Sequence, residues 1–245
     1  MSPALSVIIP CFNEENRLAG TVVRVHSYLS QIAIEHDFIL IDDGSTDGTR
    51  QIFENLAEQL EPAPLIKVLG WKQNLGKGAA VRAGLEAARG DWLLLMDADL
   101  SCPIEEFPKL WNLRLTGDLI VGSRRASGSL VEIKQPWIRT TLGKGYSWFS
   151  RSLFQLPVSD VTCGFKLFHA AAMQPLLQLA RINRWSYDTE LLVIATRNGL
   201  RLSEAGVRWN HCAGSKVRVG RDVFASLLEN MKIALTLAGG GYRLR

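Results

Sequence analysis

At 245 residues, 47% hydrophobic and 21% charged, the chain has the make-up of a globular protein with a sizeable core, which excludes a disordered or fibrous one. Its formal charge of +4 and isoelectric point of about 9.0 suit anionic partners such as phosphates, lipid headgroups or nucleic acid, and equally a merely soluble surface. Cys11, Cys102, Cys163 and Cys212 lie far apart with no CxxC pair, which excludes a zinc site of the usual spacing and fits a reduced, cytosolic chain.

In chain order, the first half alternates between short apolar runs and helical periodicity. Residues 5–10 read as a strand, close enough to the first residue that no secretory signal is expected before it. Residues 17–34 carry Leu18, Val22, Val25, Leu29 and Ile32 at helical spacing. A second strand, 38–41, ends in Asp42-Asp43-Gly44-Ser45, and 49–60 is helical with Ile52, Phe53 and Leu56 on one face. A third strand at 66–69 precedes a glycine-opened helix at 77–88. The fourth, 92–96, is followed by a helix near 105–115 and a fifth strand at 119–121. Apolar strands separated by helices imply an α/β domain built on a mostly parallel sheet with right-handed crossovers.

Beyond residue 122 the rhythm breaks. Residues 123–160 are rich in Arg, Lys, Trp, Ser and Gly. Strands are expected at 164–168 and 200–207, and helices at 188–197 and 223–237. With no internal repeat and no low-complexity linker, residues 1–245 read as a single domain. It divides near residue 122 into a regular first half, 1–122, and a second half, 123–245, of different character.

Ligands of a doubly wound sheet collect at the carboxyl ends of its strands. Three of those ends are polar here: Pro10-Cys-Phe-Asn-Glu14, Asp42-Asp-Gly-Ser45 and Asp97-Ala-Asp99. Two carboxylates one residue apart repel unless a cation or proton lies between them. A hard divalent ion, also held by substrate phosphates, meets that requirement. The plainer reading has Asp99 capping the next helix and Asp97 ending a turn. It accounts for one acid better than for three acidic strand ends on one rim.

Other phosphate motifs fit less well. Gly70 to Lys77 has one residue too many between its glycines for a P-loop and lacks Ser/Thr after Lys77. Gly76-Lys-Gly78-Ala-Ala-Val81 begins like a dinucleotide fingerprint but ends in Val and follows the third strand. Its glycines still allow a close backbone approach at a helix start, and Lys77 could face a phosphate, or the segment is a plain loop and cap. Asp-x-Asp-x-Ser after an apolar strand also resembles the haloacid-dehalogenase phosphatases, yet there the motif ends the first strand and here the fourth.

Taken together, Ser6-Val-Ile-Ile-Pro-Cys-Phe-Asn-Glu-Glu15, Ile41-Asp-Asp-Gly-Ser-Thr-Asp-Gly-Thr49, Asn74-Leu-Gly-Lys-Gly78 and Met96-Asp-Ala-Asp-Leu100 resemble the family 2 glycosyltransferases of the GT-A (Rossmann-like) fold. Gly122-Ser-Arg124, the run Asp160 to Lys166, Arg184-Trp-Ser-Tyr-Asp-Thr-Glu190 and Ser215-Lys216 are similar to the enzymes that load a hexose onto a polyprenyl (dolichyl) phosphate, closest to the glucosyl branch. The resemblance implies that Pro10, Phe12 and Glu14 line the nucleotide and that Asp42 hydrogen-bonds the base while Asp43 shapes the loop. It also implies Lys77 and Asp97 at the diphosphate, and Asp97 and Asp99 holding Mg²⁺ or Mn²⁺. Mannosyl relatives carry a Gln two residues after the second Asp; Ser101 stands there, which puts a third protein ligand in question. Arg124, Arg139 and Lys166 are expected at the acceptor phosphate, with Ser215 and Lys216 on a closing loop. Asp99, Arg124 and Asp188 form the expected catalytic set. For Asp188 and Glu190 a base role stands beside the ordinary role of acids in a helix's first turn.

The implied reaction is inverting transfer of a hexose, glucose from UDP-glucose, to a lipid phosphate. Mannosyl transfer from GDP-mannose, transfer to a non-lipid acceptor, and a silent nucleotide-sugar-binding module are the alternatives. No apolar run of about 18 residues could span a bilayer. Residues 137–154, however, mix aromatics with Arg139, Lys144 and Arg151 and contain no acid, the composition of an interfacial helix, although the aromatics could instead finish the core. Helix 223–237 is expected to pack rather than to face a membrane. A peripheral protein at the cytoplasmic membrane face, or one resting on a membrane-spanning partner, is therefore expected. Three acidic loops oppose nucleic acid as a partner.

Overall fold

A computed structural model describes residues 3–60, 63–212 and 220–244. In chain order its elements are β1 (Leu5–Cys11), α1 (Leu18–Gln31), β2 (His36–Asp43), α2 (Thr49–Gln59), β3 (Ile66–Trp71), α3 (Lys77–Ala87), β4 (Trp92–Leu95), α4 (Phe107–Leu113), β5 (Leu119–Ser123), β6 (Leu130–Val131), α5 (Trp137–Phe154), β7 (Lys166–His169), α6 (Ala170–Met173), α7 (Tyr187–Arg197), β8 (Leu202–Gly206), β9 (Arg208–Trp209) and α8 (Arg221–Ala238).

Alternate residues of the central strands face two different cores. Ile8, Ile39, Ile41, Leu93 and Leu95 join one apolar cluster with Val81 and Leu85 of α3 and Leu192 and Ile194 of α7. Val7, Ile9, Phe38, Leu40 and Leu94 join the other, with Val22, Val25 and Leu29 of α1 and Phe107 and Leu110 of α4. Strand side chains alternate with a period of two, so strands apolar on both faces are stable only between two helical layers. Each such side chain fully buried contributes about 1.5–3 kcal/mol of hydrophobic stabilisation before conformational entropy is counted.

Seven strands form one sheet in the order β3-β2-β1-β4-β7-β5-β8, and β6 and β9 pair separately. The β1/β2, β2/β3, β1/β4 and β5/β8 pairs are parallel. β7 runs antiparallel to both β4 and β5, with Lys166 opposite Leu95 and Val121. The expected mostly parallel α/β sheet is thus present, with one reversed strand that periodicity does not report. The reversal has a consequence: β7 starts where β4 and β5 end, so residues 160–165 enter the sheet from the rim that carries Asp97.

α5 occupies the span expected for an interfacial helix. α8 packs along one face, as expected, and leaves an apolar face uncovered. Phe224, Met231 and Leu235 are exposed along it, Leu235 to 73%, while Ser226, Asn230 and Ile233 face inward. No helix among the described residues is long and apolar enough to cross a membrane.

Candidate active site

The rim begins at β2, whose last two residues are both buried acids. Asp42 Oδ1 accepts the Ser45 N–H at 2.8 Å, closing the turn after the strand. Asp43 ties down the loop that follows β3. Its carboxylate accepts Trp71 Nε1 at 2.7 Å, Asn74 Nδ2 at 2.9 Å, Leu75 N at 2.8 Å and Gly76 N at 3.1 Å. Burial raises its pKa, and these donors offset that only in part. Gly76 has φ 107°, and a Cβ there would overlap the Asn183 carbonyl, so only glycine fits between this loop and the segment leading to α7.

β1 ends on the same rim. Pro10 and Phe12 are half-buried at its tip. Glu14, expected to line the nucleotide, pairs with Arg17 one turn on, at 2.6 Å. Asn13 and Ser45 join the first two loops through a 2.9 Å bond from Asn13 N.

Asp97 and Asp99 follow β4 directly. Lys77, the first residue of α3, places Nζ 2.5 Å from Asp97 Oδ1. Burial alone would raise the Asp97 pKa, but the charges of Lys77, Lys166 and Arg124 outweigh it and hold the carboxyl below the usual range. A side chain at Gly164 would overlap Asp97 Oδ2, so the reversed strand brings bare backbone against this carboxylate. Asp99 Oδ1 accepts Ser101 N at 2.9 Å, and its carbonyl accepts Cys212 Sγ at 3.2 Å. The turn-forming role of Asp99 and its place on the rim therefore coexist.

Arg124 leaves the end of β5 and forks onto Asp160, with Nε 2.6 Å from Oδ2 and Nη2 2.8 Å from Oδ1, while Nη2 also reaches Thr162 at 2.7 Å. Its guanidinium lies 5.3 Å from the Trp209 ring. Burial would push the Asp160 carboxyl up, but Arg124, helped by Arg125, holds it well below the usual range. With Nε and Nη2 engaged, Nη1 is the edge of Arg124 not spent in these contacts.

Lys166 requires a correction. It was expected at an acceptor phosphate, but it is fully buried, paired with Asp188 and donating to the Cys163 carbonyl. The antiparallel course of β7 drives the side chain under the rim instead of onto it, where it serves as an internal counter-ion. Burial raises the pKa of Asp188, and Lys166 and Lys77 offset it without cancelling it. Glu190 tethers the fold: it accepts Arg181 N at 2.9 Å, Ile182 N at 2.8 Å and the Tyr242 hydroxyl at 2.6 Å. Those contacts give it the structural role of holding the segment before α7 and the C-terminal Tyr242. Arg139 lies half-buried in the first turn of α5, and Ser215 and Lys216 lie outside the described residues.

The run from Asp160 to Lys166 was recognised as a motif, but the pairing of Asp160 with Arg124 escaped sequence reasoning because 36 residues separate the two. Also unread was the buried polar node joining α5, α7 and α8. There the Tyr146 hydroxyl meets Ser186 and Thr189 at 3.0 Å and Asn230 at 3.2 Å, and Asn230 Nδ2 donates to Ser150 at 2.7 Å.

The residues at the end of β4 suit a hard divalent cation on one condition. No cluster of three or more His, Cys, Asp or Glu among the described residues could hold a metal ion. Two carboxylates need further oxygens to complete a shell, and a bound diphosphate has them. Asp97 is one-third exposed, so such an ion can reach it.

Residues 6–177 match the family profile described as glycosyl transferase family 2. Over 93% of its length the chain is 30% identical to the dolichyl-phosphate beta-glucosyltransferase of Dictyostelium discoideum, covering 72% of that protein. Against the dolichyl-phosphate beta-glucosyltransferase of Homo sapiens it is 30% identical over 87% of the chain and 69% of the relative. A crystal structure of glucosyl-3-phosphoglycerate synthase from Mycobacterium tuberculosis, in complex with Mn²⁺ and uridine-diphosphate-glucose, superposes with a TM-score of 0.63 at 20% identity, over 93% of this chain and 80% of that one. The fold is that of GT-A glycosyltransferases.

Proposed function

The chain belongs to glycosyl transferase family 2 and is a glycosyltransferase, and from that membership we propose that it transfers glucose from UDP-glucose to dolichyl phosphate or another polyprenyl phosphate. The relatives named for that acceptor support the lipid phosphate, and the solved neighbour with UDP-glucose and Mn²⁺ supports the donor and the ion. The observation that carries the reading is the Asp97–Asp99 pair ending β4 on the rim shared with Asp42 and Lys77.

In this reading Asp42 meets the base, Pro10, Phe12 and Glu14 line the ribose side, and Asp97 and Asp99 hold Mg²⁺ or Mn²⁺ with the diphosphate. The ion, when bound, neutralises charge that builds on the departing diphosphate oxygens. The remaining steps fall to the chain and the substrates. An oxygen of the acceptor phosphate attacks the anomeric carbon in line, the bond to the UDP oxygen breaks with its electron pair leaving on UDP, and the α-linked glucose becomes β-linked. That oxygen is already anionic, so no strong base is required. Arg124 meets the acceptor phosphate through Nη1, its fork oriented by Asp160. Arg139 assists from α5, and Asp188 with Lys166 sets the field beneath the rim.

The acceptor end of the reading requires a membrane. α5 exposes Trp137, Ile138 and Trp148, the last to 69%, and α8 exposes Phe224, Met231 and Leu235. Basic residues accompany both faces, which suits the boundary of an anionic bilayer at the cytoplasmic face. Trp148→Glu is expected to reduce co-flotation with anionic vesicles by roughly tenfold, the scale of one large apolar side chain withdrawn from lipid. Unchanged flotation would remove α5 from the membrane contact.

Transfer of radiolabelled sugar to polyprenyl phosphate in detergent with Mg²⁺, from UDP-glucose and separately from GDP-mannose, tests the whole proposal. Lipid-linked product from UDP-glucose, lost in Asp99→Ala or with chelator, is the expected result. Product from GDP-mannose alone would transfer the reading to the mannosyl alternative, and no product from either donor despite nucleotide binding would end it.

A further inference from the structure

Lys77 pairs with Asp97, one of the two carboxylates that the proposed function assigns to the ion. It is the first residue of α3, a position where the helix dipole disfavours a cation. What keeps its ammonium there is Asp97, 2.5 Å away, with the Tyr187 ring at 5.9 Å from Nζ. Neither side chain of the pair is sealed: Lys77 is 28% exposed and Asp97 33%. The contrast with Lys166 is direct, because that ammonium is fully buried against Asp188 and has no route out. Lys77 has a flexible four-carbon stem and an open side, so a second arrangement is available to it.

We propose that Lys77 is an internal stand-in cation: it occupies Asp97 in the empty enzyme, opposes binding of a free divalent ion there, and moves to the diphosphate when ion and nucleotide arrive together. This rests on the assignment of Asp97 and Asp99 as metal-holding residues. An ion held by Asp97 lies beside the Lys77 ammonium, and like charges at that range repel unless one has another partner. A nucleotide diphosphate brings that partner, since its anionic oxygens accept an ammonium as readily as a carboxylate does. Ion and nucleotide thereby become mutually dependent ligands, and the coupling is reciprocal by linkage. Lys77 is a positioning residue here, touching no reacting atom.

The test is equilibrium binding, independent of turnover. Mn²⁺ affinity is measured by electron paramagnetic resonance with and without UDP, for the wild type, Lys77→Gln and Lys77→Arg, each checked for folding by circular dichroism. Lys77→Gln is expected to bind Mn²⁺ without nucleotide at least about fivefold more tightly than the wild type, the scale of losing one neighbouring charge about 4 Å away even when water screens it fully. UDP should then tighten Mn²⁺ binding less in Lys77→Gln than in the wild type. Lys77→Arg should keep weak binding of the free ion, because the charge is retained. Unchanged or weaker Mn²⁺ binding in Lys77→Gln overturns the proposal, as does a Lys77→Arg variant that behaves like Lys77→Gln. Should Lys77→Gln not fold, the wild type still decides: Mn²⁺ bound as tightly without UDP as with it overturns the inference. Asp97→Asn and Asp99→Ala, assayed with UDP present, separate this failure from that of the metal assignment. If neither weakens Mn²⁺ binding, the assignment itself falls.

Discussion

Two aspartates on one rim are each held by a cation, and they are held differently. Asp160 is fully buried and gripped by both arms of the Arg124 fork, at 2.6 and 2.8 Å. Asp97 is one-third exposed and meets a single ammonium on a flexible stem. The first arrangement fixes a direction, because a planar fork matches a carboxylate in one geometry only. The second neutralises charge without fixing anything, because a point charge can move to a better partner. In the proposed reaction the first pair belongs to the acceptor side and the second to the donor side.

Removing the carboxylates should separate the two pairs most strongly. Asp160→Ala leaves a guanidinium mostly buried without its partner and is expected to cost about 3–5 kcal/mol of stability. In a chain of this size that lowers Tm by roughly 6–20 °C, measured by thermal denaturation. Asp97→Asn, at a rim where water reaches both groups, should cost under about 1 kcal/mol. Equal losses would erase the distinction between a locked and a movable pair.

A gentler change tests the fork itself. Arg124→Lys keeps the charge but loses one of two parallel bonds, for an expected loss of about 1–2 kcal/mol in chemical denaturation. A neutral outcome would mean that charge alone, and not geometry, holds Asp160.

Acid titration should yield the smallest signal and a second contrast. Asp160 has its folded pKa below the ordinary carboxylate value of 3.8, so its stabilisation is complete above that value and is lost as pH falls below it. At the amino end of β2, away from the rim, His36 donates from Nδ1 to the Ile34 carbonyl at 2.7 Å, and its Nε2 lies 3.0 Å from His26 Nδ1. Burial lowers its pKa from 6.5, and the Ile34 carbonyl offsets that only in part. Folding favours its neutral form, so its contribution is intact above pH 6.5 and declines as pH falls below it. The difference in Tm between wild type and His36→Gln, followed from pH 7.5 to 5 in roughly half-unit steps, should narrow on acidification. A constant difference would show that His36 does not titrate in the fold.

How legible each part was follows from the range of the interactions that make it. Asp42, Asp43, Asp97 and Asp99 were readable because a strand ends where its apolar run ends, and that boundary is local. Lys77 was readable as a cation at a helix start, but nothing near it in the chain points to Asp97, 20 residues on. The family resemblance placed Lys166 at the acceptor phosphate, and its run, Lys166-Leu-Phe-His169, looks the same whichever way the strand enters the sheet.

By itself, the sequence determined the two-faced apolar strands, the helices between them, and the acids that terminate β2 and β4, since each depends on a pattern within about ten residues. The tertiary structure alone decided the reversed course of β7, the pairing of Arg124 with Asp160, the burial of Lys166 beneath Asp188, and the apolar faces that α5 and α8 leave uncovered. Strand direction and charge pairing across 20 to 36 residues depend on which elements become neighbours in space. That choice is made by the packing of the whole sheet, and no local run of residues encodes it.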